Sequence, residues 1–212
     1  MASLPRHALL AASVARRACC RPALPFTSLL PTRTYFTGTL RVRPPSNAAL
    51  VRGGDPEPVY LTDDTGRTIS PWHDVPLRRA GARGVYNFVC EIPRGTTSKM
   101  EISTRAPHNA IAQDKTRDGS PRFYALKSIV NYGALPRTYE DPAHRDALMG
   151  LPGDGDPLDV CEIGSRVGTT GAVYGVKVLG ALGLVDGGEA DWKLLAVRTD
   201  DPMAEGLDGE EC

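Results

Sequence analysis

Ala172-Val173-Tyr174-Gly175-Val176-Lys177-Val178-Leu179-Gly180-Ala181-Leu182-Gly183-Leu184-Val185 carries glycine at 175, 180 and 183. Glycine inside a helix costs about 1 kcal/mol relative to alanine, so this stretch is expected to be strand. Trp192-Lys193-Leu194-Leu195-Ala196-Val197 reads as a second strand soon after it. Toward the N-terminus, Gly84-Val85-Tyr86-Asn87-Phe88-Val89-Cys90-Glu91-Ile92-Pro93 is rich in β-branched and aromatic residues and ends at proline. Lys99-Met100-Glu101-Ile102-Ser103-Thr104 alternates apolar with charged positions at the period of a strand, and Arg94-Gly95-Thr96-Thr97-Ser98 between the two is expected to be a hairpin connection. Shorter strands are expected at 111–113, 123–126 and 160–163. An N-terminal hairpin is expected where Val59-Tyr60-Leu61-Thr62 runs into the turn residues Asp63-Asp64-Thr65-Gly66, with prolines excluding helix from the following Thr68–Leu77. No amphipathic helix of three turns can be placed between residues 84 and 200. Many short strands punctuated by Gly and Pro imply a mainly β fold closed, or nearly closed, into a barrel, because closure removes exposed edges.

With 212 residues, 41% of them hydrophobic and 24% charged, the chain is long enough for one domain with a real core. No apolar run approaches the roughly twenty residues of a membrane-spanning helix. The net charge of zero conceals an asymmetry. Residues 1–54 carry eight arginines and no acidic residue, whereas 55–212 carry seventeen basic and twenty-five acidic side chains. The Arg-rich, acid-free leader fits an organelle transit peptide, with a disordered basic tail as the alternative. The expected organisation is therefore a leader over 1–54 and one folded domain over 55–212, located in the mitochondrial matrix or, alternatively, the cytoplasm. An acidic body argues against nucleic acid, whose phosphates demand a basic face. The five cysteines, Cys19, Cys20, Cys90, Cys161 and Cys212, follow no zinc spacing. Cys90 and Cys161 read as small buried hydrophobes.

Asp154-Gly155-Asp156-Pro157-Leu158-Asp159-Val160 puts three carboxylates in one short turn, and Asp186, Glu189 and Asp191 follow after the Gly-rich strand. Anions gathered so closely need cations to hold them. Carboxylate oxygens are hard ligands suited to magnesium, calcium or manganese, and magnesium characteristically joins one or two carboxylates to substrate phosphates. Pro157 fixes the backbone, and the extended spacing turns residues two apart toward one side. A calcium-binding EF-hand does not fit, because Leu158, Asp159 and Ser165 stand where that loop needs an oxygen ligand, Gly and Glu. His73, His108 and His144 have no companions at ligand spacing and read as structural or exposed.

The seven-residue Asp motif resembles the signature of the soluble family I inorganic pyrophosphatases. Ile69–Leu77, Glu91–Arg94, Lys99–Glu101, Asn131–Gly133, Tyr139–Pro142, Val160–Gly164 and Asp186–Lys193 resemble the eukaryotic, mitochondrial-type branch in order and spacing, so the likeness covers roughly 58–208. It implies an OB-like closed β-barrel with long loops and hydrolysis of pyrophosphate to two orthophosphates with several Mg2+ ions, Mn2+ being a possible substitute. By resemblance, Asp154, Asp159 and Asp191 hold the tightest metal, with Asp159 shared to a second. Asp186 and Asp191 hold a substrate-borne one, Glu101 reaches another, and Glu91 supports the metal cluster through water. Asp156 is implied as general base, and Lys99, Arg122, Tyr132 and Lys193 as the phosphate-side groups, since guanidinium and ammonium ions suit phosphoryl oxygens. Glu189 stays off this set as a surface charge. The resemblance also implies a homodimer, with Trp72 and its hairpin as an interface element.

Two departures accompany it. The segment Ala125–Val130 is shorter than in the family, and Ser128 stands where a tyrosine is expected, with nothing filling that tyrosine's role. The family continues past Asp201–Ala204 through a long helix and a tyrosine–lysine pair that binds the product-side phosphate, so the C-terminal helix is expected to be largely missing. A metal- and phosphate-binding relative of impaired activity is the alternative function.

Overall fold

The computed structural model describes residues 41–43 and 57–207, and its strands are β1 (Arg41–Arg43), β2 (Tyr60–Thr62), β3 (Thr68–Ile69), β4 (Val85–Ile92), β5 (Met100–Ile102), β6 (Ile111–Gln113), β7 (Asn131–Ala134), β8 (Asp159–Glu162), β9 (Val173–Asp186) and β10 (Glu189–Arg198). Five of them close into a barrel in the order β10-β8-β7-β4-β9, with β9 pairing back to β10. All its pairings are antiparallel except β8 with β10, which run parallel. The Gly-rich stretch is indeed the longest strand. Two small sheets, β1-β2-β3 and β5-β6, stand beside the barrel. Most of the expected leader, and residues 208–212, lie outside the described residues. Among the described residues no helix is long and apolar enough to cross a membrane.

The N-terminal hairpin forms as expected, Leu61 facing Ile69 across the Asp63–Gly66 turn. There the Asp63 side chain accepts from Thr65 N and Arg67 N, both at 3.0 Å, and Gly66 takes φ +84°. The expected hairpin across 94–98 does not form. β4 pairs with β7 and β9, and β5 pairs with β6. The turn chemistry of Arg94–Ser98 is genuine, with Gly95 at φ +84°, but the chain leaves the barrel there instead of folding back. Residues 123–126 form no strand either, only a bridge from Phe123 to Ser98. β7, not expected as a strand, lies between β4 and β8.

Two apolar clusters explain the strand faces. Phe88 and Cys90 of β4 join Leu135, Val160, Tyr174, Val176 and Ala196 in one. Val89 joins Leu61, Ile69, Trp72, Val75, Met100, Ile102 and Ile111 in the other, beneath the small sheets. Strict alternation would send Ile92 to the same side as Cys90. Instead Ile92 packs with Val89, because a bulge interrupts the β4–β7 register between Cys90 and Ile92 and inverts the phase. Glu91 is the extra residue. Gly133 permits the close approach, for a Cβ there would lie 2.0 Å from the Val89 carbonyl oxygen and 3.0 Å from Glu91 N.

Candidate functional site

The parallel register of β8 and β10 sets Lys193 directly across from Asp159. Asp191, two residues earlier on β10, shares the Lys193 face. Lys193 Nζ donates to Asp159 Oδ2 at 2.5 Å and to Asp191 Oδ1. From β7, on the other side of β8, the Tyr132 hydroxyl donates to the same Asp159 oxygen at 2.5 Å, and Lys193 Nζ lies 5.6 Å from the centre of its ring. Burial lifts the Asp159 carboxyl above its ordinary range, although Lys193 and Tyr132 pull against that rise. Tyr132 is raised by burial and then by the Asp159 charge, so its phenol is a settled donor. Burial alone would lower Lys193, but Asp159 and Asp191 outweigh it and hold the ammonium charged.

A second group meets at Asp191. Glu140, Asp154 and Asp191 each present a carboxylate oxygen, all within 4.8 Å of one another. The backbone arranges this: Gly155 N donates to Glu140 O at 2.9 Å, and Glu140 N to Asp156 O at 2.9 Å, clipping the 139–142 segment onto the Asp turn. A Cβ on Gly153 would lie 2.3 Å from both the carbonyl carbon and oxygen of Glu140, so only glycine fits there. Glu140 Oε1 accepts from Trp192 N at 3.1 Å. Its Oε2 is buried and has no protein partner. A buried carboxylate oxygen without a donor, facing two more carboxylates, fits a divalent cation. Burial first, and then the charges of Asp154, Asp159 and Asp191, push Glu140 up to about 7 against the pull of Trp192 N–H. A cation among these groups reverses that logic. Asp156 is exposed overall, yet crowding of its carboxyl by protein, with Asp154, Glu101 and Asp159 adding repulsion, pushes it up to about 6.

A third group lies on β5 and the segment after β6. Lys99 Nζ bridges Glu101 Oε2 and Asp114 Oδ2, both at 2.8 Å, and Arg122 Nη1 reaches the same Asp114 oxygen at 2.9 Å. Glu91, on the bulge, is buried, and its Oε1 accepts from Ile102 N at 2.6 Å. Desolvation and the nearby Asp159 raise it well above the usual carboxylate range.

The structure thus brings together Asp154, Asp156, Asp159, Asp191, Lys193 and Tyr132, with Glu91, Lys99, Glu101 and Arg122 around them. Asp186 sits apart. It is exposed at the tip of the β9–β10 hairpin opposite Glu189, and its carboxylate is outside the Glu140–Asp154–Asp191 group. Sequence reasoning missed Glu140 and Asp114. The signal for Glu140 was an acidic residue at the head of Glu140-Asp141-Pro142, and for Asp114 its place one residue beyond β6, across from Lys99. His144 is exposed and bonded to Asp141 at 2.7 Å, and His73 stacks on Trp72. Cys90 is fully buried, its thiol pushed up to about 12 by desolvation, in keeping with a core role.

The family model for inorganic pyrophosphatase matches residues 88–209. The human protein named inorganic pyrophosphatase is 47% identical over 151 residues, which are 69% of this chain and 51% of that one. A Drosophila melanogaster protein of the same name is also 47% identical over 151 residues, 44% of its length. The chain spans about half the length of the curated relatives it matches. Among solved structures, a type I inorganic pyrophosphatase from Toxoplasma gondii superposes with TM-score 0.71 at 45% identity, covering 80% of this chain and 74% of the other. A Trypanosoma cruzi vacuolar soluble pyrophosphatase, solved in complex with PPi, superposes with TM-score 0.72 at 35% identity, covering 89% and 75%.

Proposed function

The chain belongs to the inorganic pyrophosphatase family, and from that membership we propose that it hydrolyses inorganic pyrophosphate to two orthophosphates with Mg2+. The observation that carries the reading is the convergence on Asp191: one of its oxygens belongs to the three-carboxylate group with Glu140 and Asp154, and its Oδ1 binds Lys193. A cation site thereby adjoins a phosphate-binding ammonium. Asp154, Asp191 and Glu140 would hold a divalent ion, with Asp159 adjacent for a second, while a part for Asp186 in an ion carried by substrate rests on the family resemblance alone, since it stands outside this group. Such ions, when bound, acidify a coordinated water and stabilise charge on the attacking and leaving oxygens.

The chain's own groups do the rest. Lys193, Lys99 and Arg122 bind phosphoryl oxygens through charge-assisted hydrogen bonds. In the free protein these cations are held by Asp159, Asp191 and Asp114, so they are pre-positioned. Tyr132 steadies Asp159. Asp156, open to solvent within the carboxylate group, takes the proton from the attacking water as its oxygen bonds to phosphorus and the bridging P–O bond breaks, the bridging oxygen leaving with the second phosphate.

Colorimetric phosphate release from pyrophosphate with Mg2+ tests this, with Asp156→Asn expected to lower turnover by about 10²-fold or more. Absence of release from folded protein would overturn it in favour of a second reading, a metal- and phosphate-binding protein of impaired activity. That reading draws on Ser128, whose hydroxyl donates to Val130 O at 2.7 Å inside its own turn. The basic leader supports import into the mitochondrial matrix, which a tagged-leader localisation assay tests, cytoplasmic signal being the contrary outcome. A homodimer built around the Trp72 hairpin is tested by sedimentation with Trp72→Ala.

A further inference from the structure

The segment after Arg122 carries a group that none of the roles above uses. Phe123 bridges Ser98 in an antiparallel pairing in which Lys99 N donates to Arg122 O at 3.1 Å and Tyr124 N donates to Thr97 O at 2.8 Å. That pattern places Lys99 opposite Arg122 and Thr97 opposite Tyr124. Because neighbours two apart share a side, Lys99, Arg122 and Tyr124 all project from one face, and Ser98 and Phe123 from the other. The first face is the cationic one, since Lys99 and Arg122 meet there on Asp114.

Tyr124 is 40% exposed, and among the described residues its hydroxyl has no hydrogen-bond partner. Of the neighbouring hydroxyls, that of Tyr132 is committed to Asp159 and that of Ser128 to Val130. Burial holds the Tyr124 phenol above its ordinary value against the pull of Lys99 and Arg122 on the same face, so it remains a protonated donor.

We propose that Tyr124 is a further substrate contact, its hydroxyl donating a hydrogen bond to a phosphoryl oxygen held by Lys99 and Arg122. The proposal rests on the pyrophosphate reading, and it names the donor that the short 122–131 loop otherwise lacks.

The test compares the full chain, Tyr124→Phe and Phe123→Leu in two measurements: pyrophosphate hydrolysis with Mg2+, and calorimetric binding of the non-hydrolysable analogue imidodiphosphate with Mg2+. Losing a hydrogen bond to a charged oxygen should raise KM and weaken analogue binding by roughly 10-fold or more in Tyr124→Phe. Phe123→Leu, on the opposite face, should change neither, and both variants should unfold at the temperature of the unaltered chain. Equal KM and equal analogue affinity in Tyr124→Phe overturn the inference while leaving the activity standing. Analogue binding that weakens in Tyr124→Phe, from a chain that does not hydrolyse, supports the inference and overturns the activity instead. A chain that neither hydrolyses pyrophosphate nor binds the analogue overturns both.

Discussion

Lys193 and Asp159 face each other across the only parallel pairing of the barrel, and their charged atoms lie 2.5 Å apart. Lys193→Met would leave Asp159 and Asp191 partly buried without their shared counter-ion, and would take a cation from the phosphate. We expect turnover of Mg2+ pyrophosphate to fall by about 10²-fold, read from initial rates of phosphate release at saturating substrate.

Glu140 Oε2 accepts no hydrogen bond from the protein, so its value should appear only with metal. Glu140→Gln keeps the shape and the acceptor for Trp192 N but removes a charge. Mg2+ affinity measured by calorimetry should weaken by roughly 10-fold or more, while the unfolding midpoint of the metal-free protein should rise or hold, since a carboxyl pushed up to about 7 is relieved of its repulsion. A lowered midpoint with unchanged Mg2+ affinity would assign Glu140 to structure.

At Gly133 the added methyl of alanine has nowhere to go, because it would meet the backbone Val89 O and Glu91 N and the buried Phe88 ring. Gly133→Ala should therefore destabilise the barrel by about 1–3 kcal/mol or more, measurable as a fall in the urea midpoint. It should also disturb Glu91, whose bulge depends on that close approach.

Asp201 supplies a pH signature away from the site. Burial tends to raise its carboxyl, but Met203 N, Arg166 N and Ser165 donate to it and bring it down to about 2. A carboxyl lower in the folded than in the unfolded state contributes stability that is fully present above the unfolded value of about 4 and is lost as pH falls through about 2. Thermal midpoints scanned from pH 5 to pH 2 should drop less steeply for Asp201→Asn than for the unaltered chain. Parallel curves would remove Asp201 from the acid response.

What could be read in advance followed the range of the forces involved. The long strands β9 and β10 announced themselves, because glycine content and β-branched residues act locally. β7 did not: Asn131-Tyr132-Gly133-Ala134 has little strand propensity of its own and is held by β4 and β8 on either side, a tertiary override. The 94–98 turn was legible as a turn but not as an exit from the barrel, since which strand a segment pairs with is a non-local matter. In the site, Asp154, Asp156 and Asp159 stood out because three anions in one turn demand a reason wherever they occur. Glu140 and Asp114 did not, because a single carboxylate in a loop looks the same whether it faces solvent or a cation.

The parallel β8–β10 pairing has a consequence for how the protein comes into being. Residues 159 and 193 lie far apart along the chain, and no local hairpin can bring them together; only the last seam of the cylinder does so. In a partly assembled molecule Lys193 would keep Asp191, its neighbour on β10, while Asp159 stood without its ammonium, so the shared arrangement should arrive in a single step, together with cooperative closure, and vanish with it.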